Sequence, residues 1–159
     1  MSARTPPPLG ALLAADHRRL DDLFGRFLAA ATPEEAGDAI RVFDAALRRH
    51  TALEDEHLFS ARRGGKLAPA EGESGRERLF RELALEHVQI REVSGMMARL
   101  LGERSDLAGA RALAGNLARR WDAHTVREES DAAAQLEEFV DPAAEAAIRD
   151  ALGDPRGSI

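Results

Sequence analysis

Apolar residues recur at spacings of three and four along four long segments of this chain, and each of the four stripes is interrupted by a histidine where an apolar residue belongs. The first stripe reads Leu9, Leu13, His17, Leu20, Phe24, Phe27. The second reads Ile40, Phe43, Leu47, His50, Glu54, then His57 or Leu58. The third is Phe80, Leu83, His87, Ile90, Ser94, Met97, Leu101, and the fourth Leu117, Trp121, His124, Glu128, then Asp131 or Ala132, then Gln135. Alternating strand patterns and Asn-Gly or Asp-Gly hairpin signals are missing, so the sequence predicts an all-α protein.

Local punctuation sets the expected helix limits. The first helix runs from about Pro8 to Ala30. Thr32-Pro33-Glu34-Glu35 has the form of a capping box with proline at the first helical position, and it opens a second helix reaching about Arg62. A glycine-rich loop follows, from Gly64-Gly65 through Gly72 and Gly75. Ser74 with Glu77 opens the third helix, which stops near Gly102; Ser105 is expected to cap a fourth helix extending to about Phe139. Asp141-Pro142 then starts a short fifth helix, ended by Gly153. The expected architecture is an up-down-up-down four-helix bundle over residues 9–153 with a short C-terminal helix. Residues 1–8 are expected as a flexible N-terminal segment and 154–159 as a tail, with no internal repeat.

The histidines have a common cause. Six polar groups left unpaired in one core would together cost several kcal/mol, at roughly 1–3 kcal/mol for each. Metal coordination removes that cost, because imidazole nitrogens and carboxylate oxygens are its ligands. Counting residues from each histidine to its turn, at ~1.5 Å per residue, places all four in one layer to within about one helical turn. Glu54 and Glu128 follow His50 and His124 by four residues, on the same helix faces one turn along. Four histidines and two carboxylates suit two metals, each taking two imidazoles and sharing both glutamates, with positions left for a bridging oxygen and a small ligand.

Asp16-His17-Arg18-Arg19-Leu20, His50-Thr51-Ala52-Leu53-Glu54-Asp55-Glu56-His57-Leu58-Phe59, Glu86-His87 and His124-Thr125-Val126-Arg127-Glu128-Glu129 resemble the hemerythrin-like HHE cation-binding family over roughly residues 9 to 140. The resemblance implies a non-heme, oxo- or hydroxo-bridged di-iron centre with ligands at His17, His50, Glu54, His87, His124 and Glu128. Other divalent metals suit the same ligands. Oxygen-carrying hemerythrins have a His-x-x-x-His pair on the third helix, whereas Arg91 stands four residues after His87. They also place a carboxylate five residues after the last histidine, whereas here the i+4 residue Glu128 fits the seam better than Glu129. The six-ligand set is more similar to the branch that includes iron–sulfur repair di-iron proteins and hemerythrin-like stress proteins. The repair proteins also carry a cysteine-containing domain, and this chain has no cysteine.

Composition narrows the rest. Lys plus Arg number 22 and Asp plus Glu 28, a net charge of −6 that disfavours nucleic acid and anionic membrane as partners. No apolar run approaches the ~18 residues of a membrane span, and no signal peptide opens the chain, so a cytoplasmic location is expected. The missing cysteines and tyrosines exclude thiolate ligands, disulfides and phenolate chemistry. His57 is expected as a flank of the site or a support to its ligands, and Asp55, Glu56 and Glu129 as solvated face. Asp16 and Asp122 are expected as exposed helix surface, the alternative being to hold the Nδ1–H of a ligand histidine. Arg91 is expected at the bundle edge, the alternative being a charge aimed at a bound anion or peroxide, and Trp121 as core packing rather than an electron relay. The functional expectation is a di-iron protein that binds or processes oxygen, nitric oxide or peroxide, with roles in oxidative or nitrosative stress. The alternatives are an iron or oxygen sensor without turnover, for which a protein partner is not evident, and a plain bundle whose histidines bond one another.

Overall fold

The computed structural model describes residues 7–59 and 71–153. Four principal helices form a ring: α1 (Leu9–Ala29), α2 (Pro33–Glu54), α3 (Gly75–Arg104) and α4 (Leu107–Arg127). α1 packs on α2 and α4, and α3 packs on the same two. Among the described residues every element is helical, so the chain is an all-α bundle. The expected limits of the second helix at Arg62, most of the glycine-rich loop, and residues 1–6 and 154–159 lie outside the described residues.

The starts of α2 and α3 follow the sequence closely. At each, a side-chain oxygen (Thr32 or Ser74) accepts the amide of the residue three on, and that glutamate (Glu35 or Glu77) accepts the cap's own amide. Both boxes satisfy helix-end amides that would otherwise lack partners. The start of α4 differs from expectation. Ser105 closes α3 in the left-handed conformation, φ 50°, and Asp106 is the cap, accepting from Gly109 N at 2.8 Å. A Cβ at Gly109 would meet the Asp106 carboxylate folded over it, so a larger residue there would make that side chain shift.

A second difference shapes the site. α2 ends in a π-helical turn, Asp55–Phe59, and α4 in another, Glu128–Ala132, before continuing as α5 (Ala133–Phe139). The expected uninterrupted fourth helix is therefore divided. Each π turn inserts one residue into the helical count and shifts the buried register that follows. Leu58, Ala132 and Leu136 are accordingly buried, while His57 and Gln135 are only partly so. The short α6 (Pro142–Gly153) folds back against α1 and the first π turn.

Two apolar clusters fill the interior. One runs from Leu20, Phe27, Ile40 and Phe43 to Leu117 and Trp121. The other closes the opposite end with Leu9, Leu13, Leu58, Phe59, Phe80, Leu83, Leu136 and Ile148 of α6. Along every principal helix the histidine falls between the two clusters. The histidines and glutamates of the stripes thus form one layer, walled on both sides by hydrocarbon.

Candidate metal centre

Within that layer the six sequence-predicted residues come together. His17, His50, Glu54, His87, His124 and Glu128 are all buried, none more than 2% exposed. The four imidazoles turn their Nε2 atoms inward. Glu54 Oε2 lies 3.2 Å from His50 Nε2 and 3.3 Å from His87 Nε2. Glu128 Oε2 lies 3.1 Å from His17 Nε2 and 3.5 Å from His124 Nε2. The His87 and His124 Nε2 atoms are 3.0 Å apart. Two donor groups result, one of His17, His50, Glu54 and Glu128, the other of Glu54, His87 and His124, each with ligand atoms within 4.8 Å of one another. Glu54 belongs to both.

The donor atoms are chemically unfinished. His17 Nε2, His50 Nε2 and all four carboxylate oxygens of Glu54 and Glu128 are buried without a hydrogen bond. A buried polar atom in that condition costs roughly 1–3 kcal/mol, more if charged, so six at one place call for a partner. Their lone pairs converge on points a cation would occupy, and neutral imidazole with carboxylate is a metal-binding donor set. The residues present therefore fit a metal pair.

Each outer nitrogen is held by a carboxylate. His17 Nδ1 lies 2.8 Å from Glu129, His50 Nδ1 3.0 Å from Asp16, His87 Nδ1 2.7 Å from Asp55 and His124 Nδ1 3.0 Å from Glu86. Such contacts fix the imidazole tautomer with its free nitrogen inward and raise its basicity as a ligand. The four partners repeat by halves. The acidic residue before His17 serves His50, and the one before His87 serves His124. The one after Glu54 serves His87, and the one after Glu128 serves His17. The α1–α2 and α3–α4 pairs are thus two copies of one device, although the sequences show no overt repeat.

Three expectations are corrected here. Asp16 is buried rather than exposed, and Asp55 and Glu129 face histidines rather than only solvent. A π turn rotates the chain less per residue than an α turn, so the residue after each inward glutamate stays near the inner face. The legible signal was the acidic residue adjoining His17, Glu54, His87 and Glu128. Arg91 donates to Asp55 Oδ2 at 2.8 Å and to Thr51 Oγ1 at 2.9 Å, so it steadies the carboxylate on His87 rather than facing the donor cluster. Arg127 holds Glu86 in the same way and reaches Glu82. Asp122 is exposed, and half-buried His57 belongs to neither donor group.

Without a cation, protons fill the gap. Burial by itself lowers the His17 pKa, but the Glu128 carboxylate outweighs it, with Glu54 and Glu129 adding, and pushes the group up to about 9. His124 rises to about 10, against the same penalty, through Glu128 and Glu86. Glu128 itself is held well below the usual carboxylate range, burial notwithstanding, by His124 and His17.

The family model for the hemerythrin HHE cation binding domain matches residues 10–136. The chain belongs to this family. No curated protein and no solved structure matches it. As an HHE domain, the protein carries a buried His/Glu cluster able to hold metal. The outer carboxylates give a direct check on that role. Asp55→Asn is expected to weaken metal affinity roughly 10–100-fold, the usual effect of losing such a partner, in a competition titration against a coloured chelator. Unchanged affinity would reduce Asp55 to a surface ion pair of Arg91.

Proposed function

We propose that His17, His50, Glu54, His87, His124 and Glu128 hold two iron ions, and that the protein binds or reduces a small oxidant: oxygen, nitric oxide or hydrogen peroxide. The observation that carries this reading is the pair of donor groups sharing Glu54, with Glu128 also reaching a histidine of each. Carboxylates shared between two metals can hold both through a change of charge. Mixed imidazole and carboxylate donors suit iron among the redox-active metals. Bound iron would supply reversible electron transfer and an open coordination position for the oxidant.

The chain's own residues set the conditions. Leu20, Leu47, Leu83 and Ile90 are fully buried, and Phe59 packs against His87 with ring centroids 5.5 Å apart. These walls exclude bulk water, and a layer so enclosed suits a ligand of two or three non-hydrogen atoms. The four outer carboxylates keep every Nε2 available at neutral pH once a cation replaces the proton. The oxidants themselves are small and neutral, and nothing charged is needed to guide them in.

The test is anaerobic loading with ferrous iron, elemental analysis, and stopped-flow mixing with peroxide, nitric oxide and oxygen in turn. The expected result is about two irons per chain, as for a carboxylate-bridged pair, and a rapid change of the iron absorbance with at least one of the three. Iron bound tightly with no change on mixing would instead favour the metal-holding or sensing role. The unmet lone pairs support that second reading too, since occupancy alone stabilises the fold. Failure to bind iron would sink both.

A further inference from the structure

The sequence contains one tryptophan, no tyrosine and no cysteine. If an electron crosses this protein by way of an oxidisable indole, phenol or thiol, Trp121 is the one residue available. Its position is unusual for a residue expected only to pack. The indole is 3% exposed and touches three of the four histidines. Its ring centroid lies 5.4 Å from His17 and 5.8 Å from His50, both edge-on, and 5.9 Å from His124, nearly parallel. Its Nε1 donates a 2.7 Å hydrogen bond to Asp21 Oδ1, and Asp21 is exposed on α1. A buried indole N–H needs an acceptor, but any carbonyl would serve. Here the acceptor is a proton-accepting carboxylate open to solvent.

We propose that Trp121 and Asp21 form an electron and proton relay between the metal pair and the surface. This rests on the iron reading above. The Trp121 indole gives one electron to the oxidised metal pair, which is reduced by one, and its Nε1 proton passes to Asp21 Oδ1. The product is a neutral indolyl radical next to a protonated carboxyl. A soluble one-electron reductant of the ascorbate class then supplies one electron to the indolyl, and the proton returns from Asp21. The net change is one electron from reductant to metal pair, with indole and carboxylate restored. Such a route returns a sealed site to its reduced state without opening the bundle. It also draws a stray oxidising equivalent away from the ligand imidazoles.

Asp21→Asn carries the test, because it keeps an oxygen acceptor for Nε1 but removes the base, at an exposed position. Trp121→Phe is the companion, with metal content measured on both. In the first arm, iron-loaded protein is oxidised with peroxide and the return of its absorbance on adding ascorbate is timed. Both variants are expected to slow that return at least tenfold relative to wild type. In the second arm, zinc-loaded protein is flash-oxidised by photoexcited ruthenium tris-bipyridine with persulfate, and the indolyl spectrum is recorded. Wild type is expected to give the neutral radical and Asp21→Asn the protonated cation. Wild-type rates in both variants, or a neutral radical of unchanged lifetime in Asp21→Asn, would overturn the relay. Failure of the iron reading has a different signature: wild type without iron, or with iron inert to peroxide, while the zinc arm still reports whether Asp21 takes the proton.

Discussion

Glu54→Ala is expected to empty the second cation position and to weaken the first. Its Oε2 stands 3.2 Å from a histidine of the first donor group and 3.3 Å from one of the second, and it is the one residue common to both. Without it, the second group is left with His87 and His124 alone, two neutral donors against a divalent charge. The first retains His17, His50 and Glu128 but loses the carboxylate that ties it to its neighbour. Metal content should fall from about two per chain to at most about one, with the residual metal held at least a hundredfold more weakly, as befits loss of a ligand rather than of its supporting partner. Glu128→Ala should be milder, since each group then keeps two histidines and Glu54, and more metal should stay bound than in Glu54→Ala. Elemental analysis after gel filtration of the two variants checks the order. Equal loss from both would mean that the carboxylates act as an inseparable pair. Retention of two metals by Glu54→Ala would overturn the shared-ligand reading.

Much of this arrangement is legible in the sequence because burial and periodicity impose it together. A histidine on an apolar stripe has to meet something polar, and four at matched heights have to meet one another. The capping boxes at Thr32 and Ser74 are equally plain, since each places both hydrogen-bonding partners at fixed spacing. Ser105-Asp106 is ambiguous for a physical reason. Either residue can cap, and only the left-handed turn that closes α3 decides that Asp106 does so. The π turns are harder still. An extra residue per turn leaves no mark in composition, yet it moves Leu136 into the core in place of Gln135 and keeps Asp55 and Glu129 within reach of imidazoles. Asp16 escapes for another reason. It holds a histidine of the neighbouring helix, and single-helix periodicity is silent about what the next helix presents.

The same cluster gives the metal-free protein an unusual dependence on pH. The pKa of His17 is raised from 6.5 to about 9, and that of His124 to about 10. A group whose pKa is higher in the folded than in the unfolded state binds its proton more tightly when folded. Its contribution is therefore fully present below pH 6.5 and is lost as pH rises through 9 and 10. Glu128 is displaced the other way, so its contribution is present above pH 4.5 and lost as pH falls below that value. The apo-protein should be most stable between pH 4.5 and 6.5 and should lose stability steadily as pH rises toward 10. Metal binding reverses the alkaline half. A cation at the Nε2 atoms takes the place of the protons, so the loaded protein should hold its stability from pH 6.5 to 9, where the apo-protein declines. At neutral pH, with free metal about a thousandfold above its dissociation constant, each bound ion adds about 4 kcal/mol. For a chain of this size that is roughly 10–15 °C in the unfolding midpoint. Thermal melts of apo and loaded protein across the pH range check both halves. Parallel curves would show that the buried donors never exchange a proton for a cation.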